Sequence, residues 1–123
     1  MNSKNAYELF SEGSALVNCN DHLSAIMVFE KAKEIEPEKG SIREALARSY
    51  YNCGLYSSAK KNFSKAIEID AANDYAYFGL GLCLIKMGRF SAALGQLKIA
   101  SAMKPQNETY IKTIRKYTRI LKK

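Results

Sequence analysis

Residues 74–107 read DYAYFGLGLCLIKMGRFSAALGQLKIASAMKPQN, and the spacing of their small and large side chains recurs twice upstream. Steps of 34 residues connect positions of matching size. The matching sets are Ala93, Ala59 and Ala25; Ala100, Ala66 and Ala32; Leu97, Phe63 and Phe29; Gly81, Ala47 and Gly13; and Leu84, Tyr50 and Leu16. Because self-similarity at a fixed period is the signature of a repeat architecture, the repeat predicts the fold more strongly than any single motif does.

Each copy of the repeat predicts two antiparallel helices. Ala93, Leu97 and Ala100 lie four and then three residues apart, which places them on one helical face. The alanines let a neighbouring helix approach closely, and the leucine fills the gap between the helices. Gly88 can take positive φ and so end the first helix, whereas Pro105 discourages continuation of the second. The sequence therefore predicts a stack of helical hairpins.

This pattern resembles the tetratricopeptide repeat family. In the third copy the matching residues are Tyr77, Leu80, Gly81, Leu84, Ala93, Leu97, Ala100 and Pro105; the middle copy has Leu46, Ala47, Tyr50, Ala59, Phe63 and Ala66, and the first has Leu9, Gly13, Leu16, Ala25, Phe29, Ala32 and Pro37. The resemblance implies an all-α, right-handed helical-hairpin solenoid with repeats at about 6–39, 40–73 and 74–107. It also implies a concave groove along the first helices.

Two positions depart from the family pattern. Arg43 replaces a large apolar residue, and we expect Ile42 to take over its packing role. Glu12 replaces a leucine, which suits an outermost repeat that has no neighbour on one side.

The chain of 123 residues fits a single domain, 1–123, closed by a capping helix at about 108–121. The apolar stripe of this helix consists of Tyr110, Ile111, Ile114, Tyr117 and Leu121. It would cover the apolar face that a last repeat leaves bare. Asn107 and Asn73 are predicted to cap the helices that follow them, and Asn20 or Asp21 the second helix of the first repeat.

The sequence does not favour an enzyme. It has one histidine, no glycine-rich phosphate loop, and no cluster of cysteine and histidine at metal-binding spacing, so neither a cofactor nor a metal is expected. His22 aligns with Tyr56 and Phe90 and is interpreted as a packing residue beside a turn. Cys19 and Cys53 occupy the same repeat position, either as packing thiols or as a redox pair.

The composition predicts a cytoplasmic protein. No apolar run approaches the ~20 residues that cross a bilayer. The N-terminal residues Asn2, Ser3 and Asn5 are polar where a signal peptide would be hydrophobic.

The candidate site is an aromatic-lined groove on the first helices, because the first helix of the third repeat has more apolar residues than one face can bury. The predicted groove residues are Tyr7, Phe10, Val17, Asn18, Arg48, Tyr51, Asn52, Tyr75, Phe78, Leu82, Ile85 and Lys86. The favoured function is a non-catalytic protein–protein interaction module, an adaptor or chaperone-like protein that binds a peptide or helix. Alternatively, the rings only pack between helices or under the capping helix.

Glu44 and Arg48, on the first helix of the second repeat, have the spacing of an ion pair.

The ligand is expected to be an apolar or acidic protein segment. In the resembled family, a carboxylate clamp of Lys, Asn, Asn, Lys and Arg grips acidic chaperone tails. Here those positions hold Phe10, Ser14, Ala45, Tyr75 and Gly79. The resemblance therefore argues against clamp binding and favours apolar anchors.

The net charge of +7 suggests another function. Residues 108–123 contribute six basic residues and one acidic residue, a net +5. Lys112, Lys116 and Arg119 could bind nucleic acid or an anionic membrane surface, although the apolar residues of this helix are needed to close the stack. Nucleic acid is thus the less favoured partner. Self-association through the groove or an open end is a third hypothesis.

Overall fold

The computed structural model describes residues 3–122, which form seven α-helices and no strand. The helices are α1 (Ala6–Asn18), α2 (His22–Ile35), α3 (Gly40–Asn52), α4 (Tyr56–Ile69), α5 (Asp74–Lys86), α6 (Phe90–Met103) and α7 (Glu108–Leu121). Helices α1, α3, α5 and α7 begin 34 residues apart, as do α2, α4 and α6. Each helix packs chiefly against its neighbours in the chain. The prediction of an all-α helical-hairpin solenoid is confirmed.

A left-handed residue reverses the chain within each hairpin. Gly54 and Gly88 both have φ of 77°, and Asn20 has φ of 62° at the corresponding place in the first hairpin. Glycine accepts this conformation freely, and asparagine tolerates it better than most other residues. The predicted turns at Gly54 and Gly88 are confirmed.

Asparagine and aspartate side chains cap four of the helices. The side chains of Asn73 and Asn107 each accept a hydrogen bond of 3.1 Å from a backbone N–H of the following helix, as predicted. Asp21, rather than Asn20, caps α2, because Asn20 forms the turn. Asn5 forms a reciprocal capping box with Glu8 at the start of α1.

Small residues allow the helices to approach one another closely. The repeated alanines are fully buried: Ala25, Ala32, Ala59, Ala66, Ala93 and Ala100. A Cβ atom built on Gly81 would lie 2.8 Å from the side chain of Leu97, and one on Gly13 would lie 2.4 Å from the ring of Phe29. The 34-residue pattern of small and large residues therefore forms the contacts between helices.

The capping helix α7 packs against α6 and α5 through its two tyrosines. Tyr110 is buried against Phe78, with 4.7 Å between ring centroids, and Tyr117 stacks on Phe90 at 5.8 Å. Ile111 and Ile114 are half-buried. Leu121 was predicted to belong to the covered stripe but is 48% exposed, because the described chain has no helix beyond α7 to pack on it.

Both departures from the repeat pattern behave as expected. Ile42 is buried, and Arg43 instead donates a hydrogen bond of 3.0 Å to the carbonyl of Pro37. Glu12 is half-exposed and pairs with Lys4 at 2.9 Å. Among the described residues, no helix is long and apolar enough to span a membrane.

Candidate functional site

Helices α1, α3 and α5 line two adjoining depressions. The first, about 350 Å³, lies between α1 and α3, and the second, about 160 Å³, lies between α3 and α5. Arg48 and Asn52 line both, so the two depressions form one continuous groove. Eight of the predicted residues line this groove: Phe10, Val17, Asn18, Arg48, Tyr51, Asn52, Tyr75 and Leu82. We refer to the two depressions together as the groove.

The centre of the groove combines a cation with an aromatic ring. The guanidinium carbon of Arg48 lies 5.1 Å from the centroid of the Tyr75 ring, within the range of a cation–π contact. The Tyr75 ring also contacts the rings of Phe63 and Phe78, whose centroids lie 6.2 Å and 6.1 Å from its own. These two ring contacts restrict the Tyr75 ring, which in turn positions Arg48.

Internal contacts occupy the acidic side chain of the groove. Glu44 accepts a hydrogen bond of 3.0 Å from Asn73 instead of pairing with Arg48, so the predicted Glu44–Arg48 ion pair is wrong. Glu44 and Arg48 have suitable helical spacing, but each has a different partner from outside the helix. Asn73 binds Glu44, and the Tyr75 ring contacts Arg48. The charge of Arg48 therefore remains available at the surface of the groove.

Four predicted groove residues lie elsewhere. Phe78 and Ile85 are only 7% and 9% exposed and belong to the core, so the prediction that they line the groove is wrong. Tyr110 covers Phe78, so this one ring packs under the capping helix, as in the alternative given for the rings as a set. Tyr7 is 76% exposed, and Lys86 is exposed at the end of α5; neither lines the groove.

The basic residues Lys112, Lys116 and Arg119 are exposed on α7. Lys116 lies 34 residues after Leu82, so α7 occupies the place of a fourth first helix. The amine of Lys116 lies 5.3 Å from the Tyr117 ring centroid, which keeps it over its own helix.

The sequence-based list omitted several groove residues: Ser14, Phe29, Ser41, Glu44, Ala45, Ser49, Phe63 and Gly79. Ser14, Ala45 and Gly79 were identifiable, since they occupy clamp positions of the resembled family. Phe63 comes from α4, a second helix, and reaches the groove because Gly79 has no side chain. Ser49 is buried and its hydroxyl has no hydrogen-bond partner among the described residues.

Burial shifts the pKa values of ionisable side chains in and near the groove. It raises the pKa of Tyr51 and of Tyr75, and the charge of Arg48 only partly offsets the effect at Tyr75. Burial also raises the pKa of Cys83 to about 12, so this thiol stays protonated and unreactive at neutral pH. Within residues 3–122 all three cysteines are free, and no group of metal-ligating side chains is assembled.

His22 lies at the start of α2, where the sequence predicted a packing residue beside a turn. Its ring nitrogen Nε2 is 3.0 Å from the side-chain oxygen of Asn20, the residue that makes the turn. The ring is half-buried, as the aligned rings of Tyr56 and Phe90 are. The position of His22 beside the turn is confirmed, and its role in packing stays an interpretation.

Comparison with known proteins decides the family. A family model described as "Tetratricopeptide repeat" matches residues 54–116, and a second model with the same description matches residues 9–39. The chain belongs to the tetratricopeptide repeat family. The groove described above thus lies on the first helices of a tetratricopeptide repeat stack.

Relatives contain this repeat domain within larger proteins. Protein unc-45 homolog B of Xenopus tropicalis is 28% identical over 111 residues, which are 87% of this chain but 12% of the frog protein. The chain therefore spans a small part of that relative.

Two solved structures share the fold. The first TPR of Spaghetti (RPAP3), bound to the HSP90 peptide SRMEEVD, superposes on this chain with a TM-score of 0.94 at 17% sequence identity. The superposition covers 100% of this chain and 98% of the RPAP3 chain. The myosin chaperone UNC-45 from C. elegans, in complex with a Hsp90 peptide, superposes with a TM-score of 0.91 at 20% sequence identity. The superposition covers 98% of this chain and 14% of the UNC-45 chain.

Proposed function

We propose that this chain is a non-catalytic protein-interaction module, an adaptor or chaperone-like unit, whose groove binds a peptide or helix from a partner protein. The groove crosses three first helices, and its two depressions are large enough to take individual side chains. Half-buried Leu82 and Tyr51 supply apolar surface, and Asn18 and Asn52 supply amides that can bind a ligand backbone. Such a surface is suited to binding a short segment rather than to catalysis.

The charge of Arg48 is the observation that carries this proposal. The three ion pairs of the described residues join Lys4 to Glu12, Lys33 to Glu30 and Lys65 to Glu38, and none of them involves a groove residue. Arg48 contacts the Tyr75 ring and keeps its guanidinium N–H groups available for a ligand. We therefore infer a segment that brings a carboxylate to Arg48 and an apolar side chain to the depression beside Leu82.

The positions of the carboxylate clamp argue for a ligand other than a chaperone tail. The two solved relatives contain HSP90 peptides. In this chain Gly79 replaces the clamp arginine, and a Cβ atom there would lie 2.3 Å from the Phe63 ring. The site beside Gly79 is thus filled by an aromatic ring, which suits an apolar ligand side chain better than a terminal carboxylate.

Selection of peptides from a random library on the purified chain would test the proposal. We expect the selected peptides to share an acidic residue close to an aromatic or branched aliphatic residue. Arg48→Glu should weaken their binding at least tenfold, equivalent to about 1.4 kcal/mol. Leu82→Ala should weaken binding severalfold, because it removes apolar contact area.

Lys61→Glu is the matched control, because it reverses an exposed charge on α4, outside the groove. Selected peptides should bind this variant like the unmodified chain. Peptides that bind Arg48→Glu and Leu82→Ala at full affinity would overturn the proposal. Binding that disappears with salt and with Lys112→Glu, but not with Leu82→Ala, would instead favour the basic surface of α7.

A further inference from the structure

The two ends of the solenoid carry opposite charge. Residues 1–39 contain four lysines and seven acidic residues, a net −3, whereas residues 108–123 carry a net +5. These segments hold α1 with α2 at one end and α7 at the other. Opposite charges at the two ends favour contact between the end of one molecule and the opposite end of another.

Each end also has a charged residue at a repeat position where the inner repeats have an apolar or small residue. Glu12 occupies the position of Leu46 and Leu80, both of which are buried. Arg115 occupies the position of Gly81, where even a Cβ atom would lie 2.8 Å from Leu97 of the partner helix. A helix cannot pack on Arg115 as α6 packs on α5. The exposed face of α7 is therefore unsuited to another repeat of this kind and better suited to an acidic partner.

Both end faces combine apolar and charged side chains. At the N-terminal end, a depression of about 430 Å³ between α1 and α2 is lined by Lys4, Leu9, Glu12, Lys31, Glu34 and Ile35. At the C-terminal end, a depression of about 360 Å³ on α7 is lined by Ile114, Arg115, Thr118, Arg119 and Lys122. We call these the N-terminal and C-terminal end faces. Within the N-terminal end face Lys4 and Lys31 balance Glu12 and Glu34, and Lys4 pairs with Glu12 at 2.9 Å. The net negative charge of this end therefore comes from the rest of the first hairpin.

We propose that copies of this chain associate head to tail, with the C-terminal end face of one copy against the N-terminal end face of the next. Arg119 of one copy would meet Glu34 of the other, Arg115 would compete with Lys4 for Glu12, and Ile114 would cover Ile35, which is 52% exposed. The two end faces share no residue with the groove, so bound copies keep their grooves open. A heterologous contact of this kind adds further copies in an open row.

Sedimentation of the full chain at low salt, from about 1 μM to about 1 mM, covers the affinities expected of such a contact. The average mass should rise with concentration and fall as salt is added. Arg115→Glu with Arg119→Glu should weaken association at least tenfold. Glu12→Lys with Glu34→Lys should do the same.

A mixture of the two double variants tests the direction of the contact. The unchanged C-terminal end face of the Glu12→Lys, Glu34→Lys variant still meets the unchanged N-terminal end face of the arginine variant. The mixture should therefore associate although each variant alone does not. If only the arginine reversal abolished association, the contact would join two C-terminal ends, and the head-to-tail proposal would be wrong.

Two control variants have the same net charges as the double variants but leave both end faces intact. Lys61→Glu with Lys98→Glu matches the arginine variant, and Glu36→Lys with Glu68→Lys matches the glutamate variant; all four residues are exposed outside the end faces. Both controls should associate much more strongly than their matched variants. A chain that stays monomeric over the whole concentration range at low salt would overturn the proposal, as would controls that lose association equally.

Discussion

The ring of Tyr110 lies 4.7 Å, centroid to centroid, from the ring of Phe78, and its hydroxyl donates a hydrogen bond of 2.6 Å to Asp74. Burial and this hydrogen bond together raise the pKa of Tyr110. These contacts attach α7 to the start of α5 and cover Phe78. Phe78 is consequently a residue of the core and not of the groove.

Phe78→Ala should therefore destabilise the fold. We expect the free energy of unfolding to fall by about 3 to 4 kcal/mol, because the substitution leaves a cavity under Tyr110. Urea denaturation followed by circular dichroism measures this change. Tyr7→Ala, at a residue that is 76% exposed, should change the stability by less than about 0.5 kcal/mol. Equal stability of the two variants would contradict the assignment of Phe78 to the core.

Gly79→Ala should also be destabilising, because its Cβ atom would lie 2.3 Å from the Phe63 ring. We expect a loss of about 1 to 3 kcal/mol from overpacking. Gly95, in helix α6, is the matched control because no atom lies within 4 Å of an added Cβ. Gly95→Ala should stabilise the protein by roughly 0.5 to 1 kcal/mol. Thermal unfolding of both variants would reveal these opposite signs, and a shift in the same direction would contradict the prediction.

The hairpin turns predict a ranking of substitutions at Gly54. Gly54→Ala should cost about 1 to 2 kcal/mol, because alanine is strained at positive φ. Gly54→Asn should cost less, since Asn20 adopts φ of 62° at the same place in the first hairpin. Equilibrium denaturation of the two variants compares the costs. An asparagine variant no more stable than the alanine variant would show that the turn does not depend on local conformation.

Tyr50 links the stability of the first two repeats to pH. Its hydroxyl donates a hydrogen bond of 2.5 Å to Glu30, and burial and this contact raise the pKa of Tyr50 to about 12. The ordinary value is about 10. Because the folded state holds this proton more tightly, the contribution of Tyr50 is complete below about pH 10 and is lost as the pH rises through about 12.

Tyr50→Phe should cost about 1 kcal/mol at neutral pH, which is below the range for a buried bond to a charged group because the site is half-exposed. The stability difference between the unmodified chain and this variant should shrink above about pH 10. Chemical denaturation across that range measures it. A difference that stays constant with pH would show that the hydroxyl proton is not held by Glu30.

The contacts of Glu30 with Tyr50 and Lys33 also make the stability of the fold depend on pH under acidic conditions. Burial alone would raise the pKa of Glu30, but hydrogen bonds from Lys33 and Tyr50 and the charges of Lys33 and Arg43 outweigh it and lower the pKa. Since the folded pKa is lowered, the contribution of Glu30 is present above about pH 4.3 and is lost as the pH falls further. Tyr50→Phe should weaken this acid dependence.

The repeat period predicted the hairpins well, because the residues that set it are the ones that form the contacts between helices. Fully buried Ala59 and Ala93 and the left-handed Gly54 and Gly88 all follow from the 34-residue pattern. These features depend on local spacing, which a sequence displays directly.

The composition of the groove was harder to predict, because helix α5 is apolar on two sides. Periodicity does not show which side α7 covers, and the contact of Tyr110 with Phe78 decides it. The pairing of Arg48 was missed for a similar reason, since its neighbour Tyr75 comes from another repeat. Binding by the groove and a cytoplasmic location stay predictions.

The continuity of the core determines the order in which the helices should unfold. One buried cluster runs without a break from Ala47 to Tyr110, whereas α1 and α2 are held by two small separate clusters. In a structure built from nearest-neighbour interfaces, the weakest end opens first. Backbone amides of α1 should thus exchange with deuterium before those of α5, and a partner that spans the groove would hold the first hairpin closed.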